Sequence, residues 1–104
     1  MIYLEAAIHV APGKMKEFMN IFTNQYLPAS ERLGRRLIAQ WQTFVGPLDE
    51  VVNLWGYDDL SHMQRFQEAR QHDAGIIKAG EDLRVLIANE TTKLLMPTAY
   101  STIK

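Results

Sequence analysis

The chain opens on strict alternation. Ile2, Leu4, Ala6, Ile8 and Val10 fall on one side of an extended segment, and Tyr3, Glu5, Ala7 and His9 on the other. That period of two predicts a strand over residues 2–10, broken by Pro12-Gly13. From Lys14 the period lengthens. Met15, Phe18, Met19, Phe22 and Tyr26 repeat at helical spacing and make one apolar stripe. Pro28 falls late in that stripe, which predicts a kink or a restart with proline in the first turn. Gly34 closes the segment. Residues 36–45 and 51–57 are rich in β-formers and flank Gly46-Pro47-Leu48-Asp49, so they read as a hairpin. Asp58 or Asp59 is placed to cap a helix carrying Leu60, Met63, Phe66 and Ala69. His72-Asp73 reads as a break and a second cap, ahead of Ile76, Ile77, Gly80, Leu83 and Ile87. Residues 88–96 make the last strand, ended by Pro97.

The resulting order, β-α-β-β-α(α)-β, is the ferredoxin-like α+β pattern: a four-stranded antiparallel sheet with helices on one face. The helices cover one face only, yet both faces of the hairpin carry large apolar side chains. Val51, Asn53, Trp55 and Tyr57 alternate with Val52, Leu54 and Gly56. Leu37, Ala39, Trp41, Thr43 and Val45 oppose Ile38, Gln40, Gln42 and Phe44. If about 500 Å² of apolar surface per copy is at stake, pairing two copies contributes roughly 25 kcal/mol gross. The cost of association is about 4–15 kcal/mol. A homodimer or higher homo-oligomer is expected, its sheets closed face to face as a dimeric α/β barrel. Register decides what lies inside it. With the turn over residues 46–49, Val45 pairs with Glu50 and Trp41 falls opposite Leu54, which puts Trp41 and Trp55 on opposite faces. A one-residue slip sets the two indoles side by side.

Composition narrows the function. The 104 residues form one domain spanning 1–104, without repeats or linkers. Eleven Lys and Arg against 12 Asp and Glu leave a net charge of −1, so no nucleic-acid partner is expected. The absence of cysteine excludes disulfides, thiolate nucleophiles and Cys-ligated metals. No apolar run reaches the ~18 residues of a membrane span, and the first residues lack the basic start of a secretory signal. No membrane partner is expected, and cytoplasm is the expected compartment.

Candidate chemistry is sparse. Asp58 precedes His62 by four residues and Glu68 precedes His72 by four, which fits solvated helix pairs better than a metal site. No P-loop, dinucleotide fingerprint or nucleophile elbow occurs, so no cofactor and no metal are assigned. Arg32, Arg35 and Arg36 cluster near a helix end. They either suit the negative end of the helix dipole or, through Arg35 and Arg36, grip an anion at the barrel rim. Asn53, Trp55 and Tyr57 share a strand face, a polar tip beside large rings. With Trp41 they form the expected small-molecule ligand site. His9 and Tyr57 are the candidate proton-transfer residues.

The hairpin from Trp41-Gln42-Thr43-Phe44-Val45-Gly46-Pro47-Leu48-Asp49-Glu50-Val51-Val52-Asn53-Leu54-Trp55-Gly56-Tyr57-Asp58-Asp59-Leu60 resembles the core signature of the NIPSNAP family. Pro12-Gly13-Lys14, Leu27-Pro28, Lys93-Leu94-Leu95-Met96-Pro97 and Tyr100-Ser101 add weaker matches. The resemblance implies a dimeric α/β barrel and little about chemistry, because the family has no generally accepted reaction. Related barrels include cofactor-free monooxygenases, haem-degrading enzymes and stress-response proteins, a likeness of fold alone. The family's first strand often carries an arginine and a tyrosine where this chain has Ala6 and Ile8, and a histidine is common where it has Asn53. The expected function is therefore small-molecule binding, with a cofactor-free enzyme on an apolar or aromatic substrate as one form of it. A non-catalytic interaction or sensor protein with a solidly packed barrel is the alternative. Room in the interior separates the two.

Overall fold

The structure, a computed structural model, describes residues 1–104. Four strands, β1 (Ile2–Val10), β2 (Arg36–Gln42), β3 (Glu50–Tyr57) and β4 (Ile87–Leu95), form one antiparallel sheet in the order β2-β3-β1-β4. Helical segments α1 (Met15–Ile21), α2 (Leu27–Arg32), α3 (Leu60–Arg70) and α4 (Ala74–Arg84) complete the ferredoxin-like α+β fold. The long apolar stripe does not run as one α-helix. Between α1 and α2 the backbone widens into a π-helical turn over Phe22–Tyr26 and runs on without a break into α2, with Pro28 in its first turn, so the wider turn accommodates the N–H that proline lacks. Both aspartate caps form. Asp59 accepts from the His62 N–H at 2.8 Å and Asp73 from the Ile76 N–H at 2.9 Å, satisfying donors that a helix start leaves open.

The period of two sorts the sheet. Ile2, Ala6, Ile8, Val10, Val51, Trp55 and Tyr57 are buried in one cluster with Phe18, Phe22, Phe66 and Leu83 from the helices. The expected register of the hairpin is corrected. Strand β2 ends at Gln42 rather than Val45, a bulge at Ile38 shifts the ladder, and Trp41 pairs with Val52, not with Leu54 or Trp55. The turn runs longer, over residues 43–49, with Asp49 and Gly46 at φ 58° and 134°. The displacement is two residues, so the faces are kept: Trp41 lies on the open face and Trp55 beneath the helices. This chain alone forms an open sheet, and a closed barrel requires a second one. Ile38, Trp41, Phe44, Val45 and Leu48 are exposed on or beside the open face. No helix is long and apolar enough to cross a membrane.

A candidate ligand cavity beneath the helices

Helix α3 packs over the end of β3, and α4 packs on the π-helical turn. The space between them is not filled. A cavity of about 910 Å³ opens there, floored by Leu4, Ala6 and Ile8 of β1, Asn53 and Trp55 of β3, and Ile87, Glu90 and Thr92 of β4. Phe18, Phe22 and Tyr26 form one wall; Ile76, Ile77, Gly80 and Leu83 of α4 form the other. Its mouth lies along β4, where Glu90 and Thr92 point to the helix side and remain exposed. Phe22 and Tyr26 reach Trp55 at ring separations of 6.0 and 6.3 Å. The π-helical turn brings these aromatics into register over the strand, and such turns recur at functional sites.

Polar side chains share the lining, with Gln67, Arg70, Gln71, Glu81 and Arg84 toward the helix side, and two polar groups lie deep in it. Asn53 is 1% exposed, and its Oδ1 accepts from Gln40 Nε2 at 2.8 Å. Arg35 is 3% exposed. Gly34, at φ 102°, turns the chain sharply after α2 and delivers Arg35 under the helices, a bend that favours a residue without Cβ. The guanidinium lies 3.7 Å over the Trp55 ring, 4.4 Å from Phe66 and 5.5 Å from Tyr26. Its Nη2 donates to the Tyr26 hydroxyl at 2.9 Å and to Ser30 Oγ at 3.0 Å. No carboxylate pairs with it. Although Glu90 keeps an exposed face, loss of water on its cavity side pushes the carboxyl above its usual range, while Arg35 and Arg70 act in the opposite direction.

The residues marked out by sequence separate. Asn53, Trp55 and Arg35 converge on the cavity. Trp41 is 55% exposed on the opposite face. Arg36 is exposed and pairs with Asp58 at 2.9 Å, so it does not join Arg35 in one basic site. Arg32 likewise pairs with Asp73 at 2.7 Å. Tyr57 is fully buried against Phe66 and His62 and is not on the cavity wall. Its hydroxyl makes no well-formed hydrogen bond, although the Arg35 guanidinium lies beside it, and burial outweighs that cation to push the phenol above its usual value. His9 sits on the open face, 3.3 Å from Glu50. His62 is spent on structure: Nδ1 accepts from the Asp58 N–H at 2.8 Å, and Nε2 lies 2.9 Å from the Gly34 carbonyl. That tie fixes the turn that carries Arg35. No three His, Asp or Glu side chains stand where they could hold a metal ion. Sequence reasoning missed Tyr26, Arg70 and Glu90. The stripe marked Tyr26 as core, and Glu90 stood in a strand whose faces could not be assigned.

The NIPSNAP family model matches residues 3–102. The chain belongs to the NIPSNAP family. A NIPSNAP domain protein from Burkholderia xenovorans is similar to it over 97% of this chain and 98% of its own, at 25% identity and a TM-score of 0.90. A NIPSNAP family protein from Agrobacterium tumefaciens is 27% identical over 96% of this chain and 88% of its own, with a TM-score of 0.89. A putative antibiotic biosynthesis monooxygenase from Nitrosomonas europaea covers 96% of this chain and all of its own at 15% identity and a TM-score of 0.72, a likeness of fold. Among curated proteins none matches. In this NIPSNAP chain the hairpin that carries the family resemblance also supplies Asn53 and Trp55 to the cavity floor.

Proposed function

We propose that this NIPSNAP protein binds an apolar or aromatic small molecule between its helices and its sheet, and does so as a homodimer joined through the open sheet face. The cavity carries the reading. About 910 Å³ is far more than the ~30 Å³ a water occupies in the liquid. It falls within the roughly 300–1,000 Å³ of small-molecule sites, and its lining joins an apolar half to a polar, partly charged one. It lies between helices and sheet, on the face away from the barrel that two copies would enclose, so the reading moves the ligand from the barrel interior to the space beneath the helices. No histidine lines the cavity, and no nucleophile stands beside a base there, so binding is better supported than acid–base catalysis. The dimer reading rests on the exposed Ile38, Trp41, Phe44, Val45 and Leu48, which together exceed the scattered apolar residues of an ordinary monomer surface.

The test uses Trp55 as reporter, in Trp41→Phe protein so that a single indole remains. Titration with decanol, decanoate, naphthalenemethanol and naphthoate should give a saturable change in emission from at least one compound. The same compound should raise the melting temperature, by mass action on the folded state. Flat titrations with all four would remove the reading. Sedimentation of the native chain at micromolar concentration should show a dimer or larger species, and a folded ~12 kDa monomer there would remove the dimer.

A further inference from the structure

We propose that the molecule taken by this cavity is an organic monoanion, an aromatic or long-chain carboxylate, with its charged oxygen at Arg35 and its apolar body against Tyr26, Ile77 and Ile87. The inference rests on the binding reading above and names the ligand class for that same site.

An arginine buried to 3% exposure is costly unless its charge is met. Here it is met only in part. None of the six ion pairs in the molecule includes Arg35. Its two well-formed hydrogen bonds both leave from Nη2 and both go to neutral hydroxyls, and buried Nε has at most the neutral Tyr57 hydroxyl beside it. The rings of Trp55, Phe66 and Tyr26 hold the cation by their π faces, but supply no negative charge. The remaining wall does not neutralise it either. Arg70 and Arg84 line the same cavity with Glu81 and Glu90, so with Arg35 the wall holds three cations against two carboxyls. Glu90 faces the same space without pairing with Arg35. A guanidinium fixed by stacking, short of a charged acceptor and set among aromatic rings is preorganised for a carboxylate. Inorganic phosphate offers the charge without the body that the apolar walls select, so it should bind weakly or not at all.

The experiment compares matched pairs, decanoate with decanol and decanamide, and naphthoate with naphthamide, by calorimetry on the native chain and by Trp55 emission in Trp41→Phe protein. A charge-assisted hydrogen bond to a buried guanidinium predicts that each acid binds at least about tenfold tighter than its neutral partners. Arg35→Gln should abolish that preference, and Arg36→Gln, at the exposed pair with Asp58, should keep it. Because Arg35→Gln removes a buried stack and can unfold the chain, the comparison on the native protein stands by itself, and Arg35→Lys gives a second variant that retains the charge. Neutral partners binding as tightly as the acids would overturn the anion inference while leaving the cavity reading intact. Failure of every compound to bind would overturn both.

Discussion

Tyr57→Phe should stabilise this protein, against the usual direction for a core tyrosine. The Tyr57 side chain is fully buried, and its hydroxyl makes no well-formed hydrogen bond. A buried polar group without a partner forfeits its water without recompense, at about 1–3 kcal/mol. Phenylalanine keeps the ring and hence the packing on Phe66 and His62, at ring separations of 6.0 and 5.6 Å. The expected gain is about 1–2 kcal/mol, or roughly 4–8 °C in melting temperature for a domain of this size. A second signature comes from alkali. The folded-state pKa of Tyr57 is raised above the usual phenol value, mainly by burial. The folded chain therefore keeps a proton that the unfolded chain releases from about pH 10 upward. The associated stability is fully present below that pH and is lost as pH rises through the folded value. Urea melts of native and Tyr57→Phe protein at about pH 7 and about pH 10.5 should show the variant more stable at both, with a larger margin in alkali. A loss of about 1 kcal/mol or more at neutral pH would refute the reasoning. It would mean that the hydroxyl is bonded after all, with Arg35 as the nearest candidate donor, and Arg35 would then be less free to meet a ligand.

Three further outcomes follow from particular contacts. Trp55→Ala should destabilise by about 3–5 kcal/mol, because a 2% exposed indole leaves a cage of two rings and a guanidinium; an unchanged thermal melt would contradict the burial. Asp73, held at about 2 by Arg32 and by the Ile76 and Gly75 N–H groups, has a depressed folded-state pKa. Its contribution is present above the unfolded value near 4 and lost as pH falls toward the folded one, so Asp73→Asn should flatten acid unfolding between about pH 4 and 2, as circular dichroism would follow. Binding to duplex DNA at physiological salt should be weaker than micromolar by fluorescence anisotropy, since a net charge of −1 leaves little counterion release to drive it.

The strands, the two aspartate caps and the single-sided helix layer were legible because each rests on local rules: alternation, helical spacing, a carboxylate ahead of an apolar run. What escaped was whatever depends on counting residues through an irregularity. The bulge at Ile38 and the seven-residue turn move Trp41 to Val52, and no local propensity marks a bulge in a run as uniform as Leu37-Ile38-Ala39. The π-helical turn is equally silent. Phe22 and Tyr26 satisfy the α-helical period on paper, while the wider turn sets where both rings meet Trp55.

The arginines show why the site was only half visible. Arg32, Arg35 and Arg36 lie within five residues and read as one basic patch, yet they face three ways. Helix α2 ends at Arg32, Gly34 turns the chain at φ 102°, and β2 begins at Arg36. A helix end directs Arg32 to Asp73. The strand directs Arg36 to the open face with Gly56, where it meets Asp58. Arg35, in the turn between them, belongs to neither period and drops into the core. Proximity in sequence thus misleads most where the chain changes period, because each residue there takes its direction from a different element. The same place is where a charge can be set among aromatic rings: a strand or helix interior would present its neighbours on the same face, whereas a left-handed glycine lets one cation leave the surface while those on either side remain paired with carboxylates. The His62 bond to the Gly34 carbonyl holds that glycine in place, so the turn, rather than the strand that carries Trp55, decides where the buried charge sits.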